Sequence, residues 1–582
     1  MKKICFIVVA FCCAVALASS TTAPFSAEHY LSYVKYLASD QLKGRGNNLP
    51  ELSKAASYIE GRFRKAGLKD FASLDGYRQY FEVTAQVDLL AGSHLQIGAQ
   101  RYALDKDFSL LSFADRSDAG ERRKEGPVLL LMSGSGPAIF CGHGVAAIQG
   151  DYDDYAGKEV HGKVAVVLDG APSLTEKQKP LVHSDLLSKI VLAKNKGAAA
   201  LLLVRDPSHF SSRGAEQMGM PAFAVTPELA ANLLGVDAAQ LGNPHAEFHP
   251  AALQWNVHLE KQRRRVANVV AYLAGSPMPQ EWVVVGAHYD HLGLGERYAL
   301  DPNAVGQPHN GADDNASGTA GVICLGENFA GHQPPLARGI VFIAFAGEEL
   351  GLLGSAYFVD HLPAEVKRVA AMVNMDMIGR PQGKFFLGGV GTAKEFPELL
   401  KDWHADLKIE VSDNIPGGSD HVSFTAHGIP ALFFFSGLHS DYHKATDDWE
   451  KIDVPKALEV LDVARQAVRS LTASQMALHF TQPAEPKSSG GGSGYGAYFG
   501  SVPDFASGVN GVRFSDVTQG SPAHQAGLRG GDTLVKFDGK PVENLYDFTY
   551  ALRSHAPGQT VEVEYLRDGK LLKASVTLGT RN

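Results

Sequence analysis

Residues 282–291 read Trp-Val-Val-Val-Gly-Ala-His-Tyr-Asp-His. An apolar run without alternation describes a strand buried on both faces, as in an α/β sheet with helices above and below. The run then breaks into His288, Tyr289, Asp290 and His291, at the C-terminal end where ligands of open α/β sheets gather. Three further apolar runs, 340–346, 371–375 and 431–435, lead to Glu348-Glu349, Asp376 and Asp441-Tyr442-His443, and a loop at 311–318 carries Asp313 and Asp314. One acid or histidine at a strand end is unremarkable. Several in succession each carry the penalty of a desolvated charge unless cations sit between them. A pair of divalent cations answers that, and a mixed nitrogen and oxygen donor set points to zinc.

Working outward, the chain has 582 residues, which predicts three or four folded units. Its composition is ordinary for globular proteins, and a net charge of −9 argues against nucleic acid as a partner. Lys2 and Lys3 before an apolar run to Leu17, with Ala16-Leu17-Ala18 after it, read as a signal peptide over 1–18. The expected location is therefore periplasmic or secreted, in a bacterial cell, with no transmembrane segment in the mature chain. Cys141 and Cys324 are the two cysteines beyond the signal, and they read as buried thiols rather than a disulfide framework. Helical periodicity recurs from Ser26 to Lys69, interrupted by a loop at 43–48. Residues 77–141 read as short strands, 162–204 as strand–helix–strand, and 454–478 as a closing helix. A Pro/Ser/Gly-rich linker at 482–496 precedes a β-rich unit at 497–582.

Taken together, GAHYDH (286–291), GADDNASG (311–318), FAGEELGLLGS (345–355), NMDMIG (374–379) and DYH (441–443) resemble the bi-zinc aminopeptidases of metallopeptidase family 28. The resemblance implies a zinc-exopeptidase mixed sheet flanked by helices, over 26–141 and 262–480, holding two Zn²⁺ per chain. It implies that His288 and Asp376 bind one zinc, Glu349 and His443 the other, and that Asp314 bridges them. Glu348 would then be the general base, Tyr442 a donor to the developing oxyanion, and Asp290 an outer carboxylate orienting the His288 imidazole. Asp313, Asn315 and Ser317 read as loop-shaping and capping residues, His421 as a pocket residue, His291 as structural, and Arg263-Arg264-Arg265 as a solvated junction face.

Residues 142–258 resemble a protease-associated (PA) domain, through Asp153-Asp154-Tyr155, the strand after Gly162-Lys163, and the helix–strand junction at Gly197-Ala198-Ala199. Residues 497–582 resemble a bacterial-type PDZ domain, through Tyr498-Phe499-Gly500-Ser501 and the stretch Gly520-Ser521-Pro522-Ala523 to Gly531-Asp532. That resemblance makes 498–501 a loop able to hold a C-terminal peptide carboxylate. The expected activity is removal of N-terminal residues from peptide substrates. A carboxypeptidase, a glutaminyl cyclase, and a non-catalytic PA/PDZ binding scaffold remain as alternatives.

Overall fold

The longest element of the chain, the 22-residue strand Ala252–Leu273, belongs to two units at once. Its first half alternates, with Leu253, Trp255, Val257 and Leu259 inward, and pairs antiparallel with Val128–Phe140. Its second half, Val266 to Ala271, is buried throughout, and residues 269–273 pair antiparallel with Gly339–Phe345. The changeover falls at Arg263-Arg264-Arg265, so the expected junction face is the middle of a continuous strand. There Arg265 lies over the Tyr80 ring at 3.9 Å and Arg263 approaches Glu82 at 3.6 Å. The computed structural model describes residues 24–114, 128–147, 152–173, 184–205, 216–243, 245–274, 279–296, 298–332, 336–401, 403, 405–415, 418–481, 497–503, 511–517, 520–567 and 569–580. The expected signal peptide and linker lie outside these residues.

Beyond that strand, the sheet continues through Gly339–Phe345, Glu281–His288, Arg368–Met375 and Ala431–Phe435 to Lys384–Gly388. Glu281–His288 runs parallel to both of its neighbours, and Lys384–Gly388 returns antiparallel. This is the expected mixed sheet. Strand periodicity then divides its side chains between two cores. Val283, Val285 and Ala287 pack against Ala27–Leu37, Glu51–Lys65, Gly318–His332 and Val454–Ala473. Trp282 and Val284 pack on the opposite face with Phe358 and Phe424, from the helices Leu353–Asp360 and His421–Ala426. Each such fully buried apolar side chain contributes about 1.5–3 kcal/mol. Double burial is the reason the run 282–287 shows no alternation.

The sheet also extends through Val128–Phe140 into parallel strands Val164–Leu168, Ala200–Val204 and Ala222–Val225. These carry the helix Leu186–Asn195 on one face and Pro227–Leu234 on the other. The C-terminal unit forms its own core around Phe499, Phe514, Phe537 and Phe548, built on antiparallel strands and the helix Leu545–Arg553. Cys141 and Cys324 are both buried and free.

A buried cation ties the N-terminal helices to the strand ends of the mixed sheet. Arg45 is fully buried and donates to the carbonyls of Leu37, Tyr289, Asn310 and Gly311. The chain reaches it through a left-handed turn in which Gly44 (φ 66°) lies so close to the carbonyls of His309 and Gly293 that an added Cβ would fall 2.3–2.4 Å from them. Arg45→Leu would strip the partner from four buried carbonyls at once. We expect it to destabilise the peptidase unit by about 3–5 kcal/mol, read as a lower urea midpoint by tryptophan fluorescence. An unchanged midpoint would contradict the tether.

Candidate metal centre

At the C-terminal edge of the sheet, four carboxylates and three imidazoles converge. His288 ends its strand with Nε2 3.3 Å from Asp314 Oδ1 and 3.5 Å from Asp376 Oδ1. The other oxygen of the same aspartate, Asp314 Oδ2, lies 3.4 Å from His443 Nε2, which is itself 3.3 Å from Glu349 Oε2. Asp314 therefore turns one oxygen to each of two donor sets. Glu348 stands beside the first, its Oε2 3.9 Å from His288 Nε2. The structure brings together every metal ligand expected from the sequence.

It also brings in a third histidine. His291, read as structural, places Nδ1 2.7 Å from Glu349 Oε1 and 3.9 Å from Asp314 Oδ2. Among the described residues, His291, Asp314 and Glu349 form one of three groups of side chains spaced to share a metal ion; the others are His288, Asp314 and Asp376, and His288, Glu348 and Glu349. The signal available in the sequence was its place three residues after His288, past the same strand end.

The loops that present these groups are held from behind. Asp447 Oδ2 accepts the N–H groups of Asp313 and Asp314 at 3.0 and 3.1 Å. Asp313 Oδ1 accepts from Ser317 Oγ and Gly379 N–H, and Asn315 Oδ1 from Gly318 and Met377 N–H, so these residues shape the loop. Asp447 was not expected in this position, because sequence does not show which backbone N–H a distant carboxylate will meet. Asp290, expected to orient His288, meets its Nδ1 through the main-chain carbonyl at 3.1 Å and through carboxylate Oδ1 at 4.0 Å. The carboxylate is taken up by the N–H groups of Glu348 and Glu349 and by Asn47 Nδ2, so it orients the two glutamates. Tyr442 stacks on the His443 ring at 3.9 Å. His421 is buried beside Asn374, with its Nδ1 at 3.3 Å from the amide nitrogen.

Electrostatics follow from this crowding. Burial pushes the Glu348 carboxyl up, and the acids Glu349, Asp420 and Asp376 add to that against the pull of His288. Burial also tends to raise Asp314, yet His291, His288 and His443 together hold it well below the usual carboxylate range. His443 is opposed by burial but held up at about 11 by Glu349 and Asp314. Burial, then the surrounding carboxylates, raise the Tyr442 phenol, which keeps it a proton donor. Asp376 Oδ1 is buried without a hydrogen-bond partner in this acidic pocket. That orphaned oxygen, with imidazole and carboxylate donors on two sides of Asp314, fits divalent cations of the zinc type.

The family model for peptidase family M28 matches residues 268–468. The chain carries a peptidase family M28 domain. A PDZ domain model matches 493–578. Leupeptin-inactivating enzyme 1 of Streptomyces exfoliatus is 32% identical over 189 residues, which are 32% of this chain and 38% of that protein. Aminopeptidase YwaD of Bacillus subtilis is 27% identical over 315 residues, 50% of this chain and 66% of that one. The matched stretches thus span under two thirds of these relatives. BSAP, a zinc aminopeptidase from Bacillus subtilis, aligns with 80% of this chain and 98% of its own at 20% identity and a TM-score of 0.49.

In the PDZ unit, Tyr498 pairs with Gly579 and Ser501 opens the strand Ser501–Pro503. Phe499 points into the domain core rather than outward. Gly500 has φ 89°, and an added Cβ would lie 2.1 Å from that of Ser521, so this loop requires glycine.

Cation binding at the M28 site should stabilise the fold. A metal at one hundred times its Kd adds about 2.7 kcal/mol. Dialysis against a chelator is therefore expected to lower the thermal midpoint, and zinc to restore it. A midpoint indifferent to both would argue against the site.

Proposed function

We propose that this chain is an exported zinc aminopeptidase that uses two zinc ions and removes N-terminal residues from peptides. The observation that carries the reading is Asp314, whose two oxygens face separate histidine–carboxylate sets at 3.3 and 3.4 Å. A single-metal centre has no use for that disposition. In this reading His288 and Asp376 hold one ion, Glu349 and His443 the other, and His291 steadies Glu349. Zinc, when bound, supplies a Lewis acid and acidifies its water towards neutrality.

The remaining work belongs to the chain. Glu348, pushed up by burial and neighbouring acids, takes a proton more readily than a free glutamate. It passes that proton to the leaving amine. Tyr442, kept protonated, donates to the oxyanion that develops on the attacked carbonyl. Asp290 fixes the backbone of both glutamates, so that one side chain serves the metal and the other the water.

Charge favours the amino end. A carboxypeptidase needs a cation for the terminal carboxylate, but Arg45 is saturated by carbonyls and Arg380 is paired with Asp441 at 2.9 Å. The acidic pocket suits an ammonium group instead. The unit at 142–258 is read as a PA domain flanking the cleft, and the PDZ unit as a receptor for a C-terminal peptide through 498–501. Export rests on the basic and apolar residues at the start of the sequence.

Glu348→Gln should lower turnover of aminoacyl chromogenic substrates by about 10²–10⁴-fold while retaining metal. Undiminished turnover would overturn its role as the base. Metal analysis of the wild-type enzyme should return two zinc ions per chain; one would favour a cyclase. Mass spectrometry of a peptide-library digest should show residues lost from the N-terminus, whereas loss from the C-terminus would assign a carboxypeptidase.

A further inference from the structure

A Gly/Ser-rich linker of 15 residues would let the PDZ unit drift as a tethered bead. The structure shows it docked. Lys194, on the helix Leu186–Asn195 of the 142–258 unit, places Nζ 2.8 Å from Asp547 Oδ2 and 2.9 Å from Glu543 Oε2, at the start of the PDZ helix Leu545–Arg553. Asp547 is 3% exposed, so this is a buried pair rather than a surface contact. At the other end of the two helices, Arg553 approaches Asp185 at 3.6 Å. Between the ion pairs, Tyr550 packs on the core that holds Tyr155, Ile190 and Val191.

This pattern reads in one direction only. The helices run antiparallel, with acids at the N-terminal end of one meeting a lysine at the C-terminal end of the other, which also suits both helix dipoles. Sliding or reversing the pair would set Lys194 against Arg553, or Asp185 against Asp547. The PDZ helix keeps its faces separate: Leu545, Phe548 and Leu552 serve its own core, while Glu543, Asp547 and Tyr550 serve the neighbour. The PDZ strand Val512–Val517 also lies beside the helix His421–Ala426, which begins next to Asn374 on the strand Arg368–Met375 that leads to Asp376.

We propose that the antiparallel helix pair is a standing intramolecular interface, and that it fixes the PDZ unit as a wall beside the helix His421–Ala426, limiting entry of long peptides to the site. The limit on substrate length rests on the aminopeptidase reading above; the interface does not.

Small-angle X-ray scattering on the full chain tests the interface. Lys194→Glu should release the PDZ unit and raise the maximum dimension by about 20 Å, the r.m.s. reach of such a linker. Tyr550→Ala should shift it in the same direction, and Lys194→Arg, which keeps the cation, should retain the wild-type curve. Superimposable curves for Lys194→Glu and wild type would overturn the docking. In kinetics, the released variant should gain several-fold in kcat/KM on peptides too long for the walled site and stay unchanged on aminoacyl chromogenic substrates. Expanded scattering with unaltered length dependence would remove the wall. Absence of any turnover in the wild type would instead count against the aminopeptidase reading, leaving the scattering result to stand.

Discussion

An aspartate buried among three imidazoles sets the terms for the rest of the peptidase unit. His288, His291 and His443 surround Asp314 and favour its ionised form in a pocket almost closed to water. Those histidines come from three separate places in the chain: a strand end, the turn just beyond it, and a loop some 150 residues later. Bringing them within 4 Å of one carboxylate requires every intervening element to be placed to a fraction of a side chain's length. The sheet supplies the coarse placement. Its parallel strands deliver their C-terminal ends to one edge, and burial on both faces leaves them little freedom to shift.

Fine placement comes from charged groups one layer out, each holding backbone groups of the loops. Asp447 grips the amides of residues 313 and 314, Asp290 those of 348 and 349, and Arg45 the carbonyls of 289, 310 and 311. A buried charge satisfied by main chain cannot be replaced by an apolar group without orphaning the peptide units it holds. Support of this kind ties the loop geometry to the identity of single residues. It also accounts for a leading segment that contributes no side chain to the metal ligands: through Arg45 and Asn47 it holds the rim in place.

Much of the catalytic unit was legible in the sequence because its strands are apolar runs that end abruptly in histidine and acid. The contrast between 282–287 and 288–291 marks both the fold and the site. The supporting groups were not legible in the same way. Asp447 looks like one acid among several after His443, and Arg45 like a basic residue in a polar loop; only the folded chain shows which amides and carbonyls they meet. His291 reads as structural, and only the folded chain shows that its ring meets Glu349 and Asp314. The run Arg263-Arg264-Arg265 reads as a solvated junction face, and Arg264 and Arg265 are exposed, yet antiparallel partners keep the strand unbroken through it. The docking of Lys194 with Asp547 joins residues more than 350 positions apart, where no local pattern could announce it.

The strand Ala252–Leu273 carries a further consequence for how this chain could be cut or shortened. A boundary drawn between 258 and 262, as composition suggests, would split a single β-ladder. The half left behind would lose its continuation past Val266, and the excised half would lose the partner that orients Val128–Phe140. The accessory unit is thus grafted into the peptidase along a shared beam rather than appended by loops. Melting of one sheet must be felt in the other, and neither can be transplanted whole without carrying part of its neighbour.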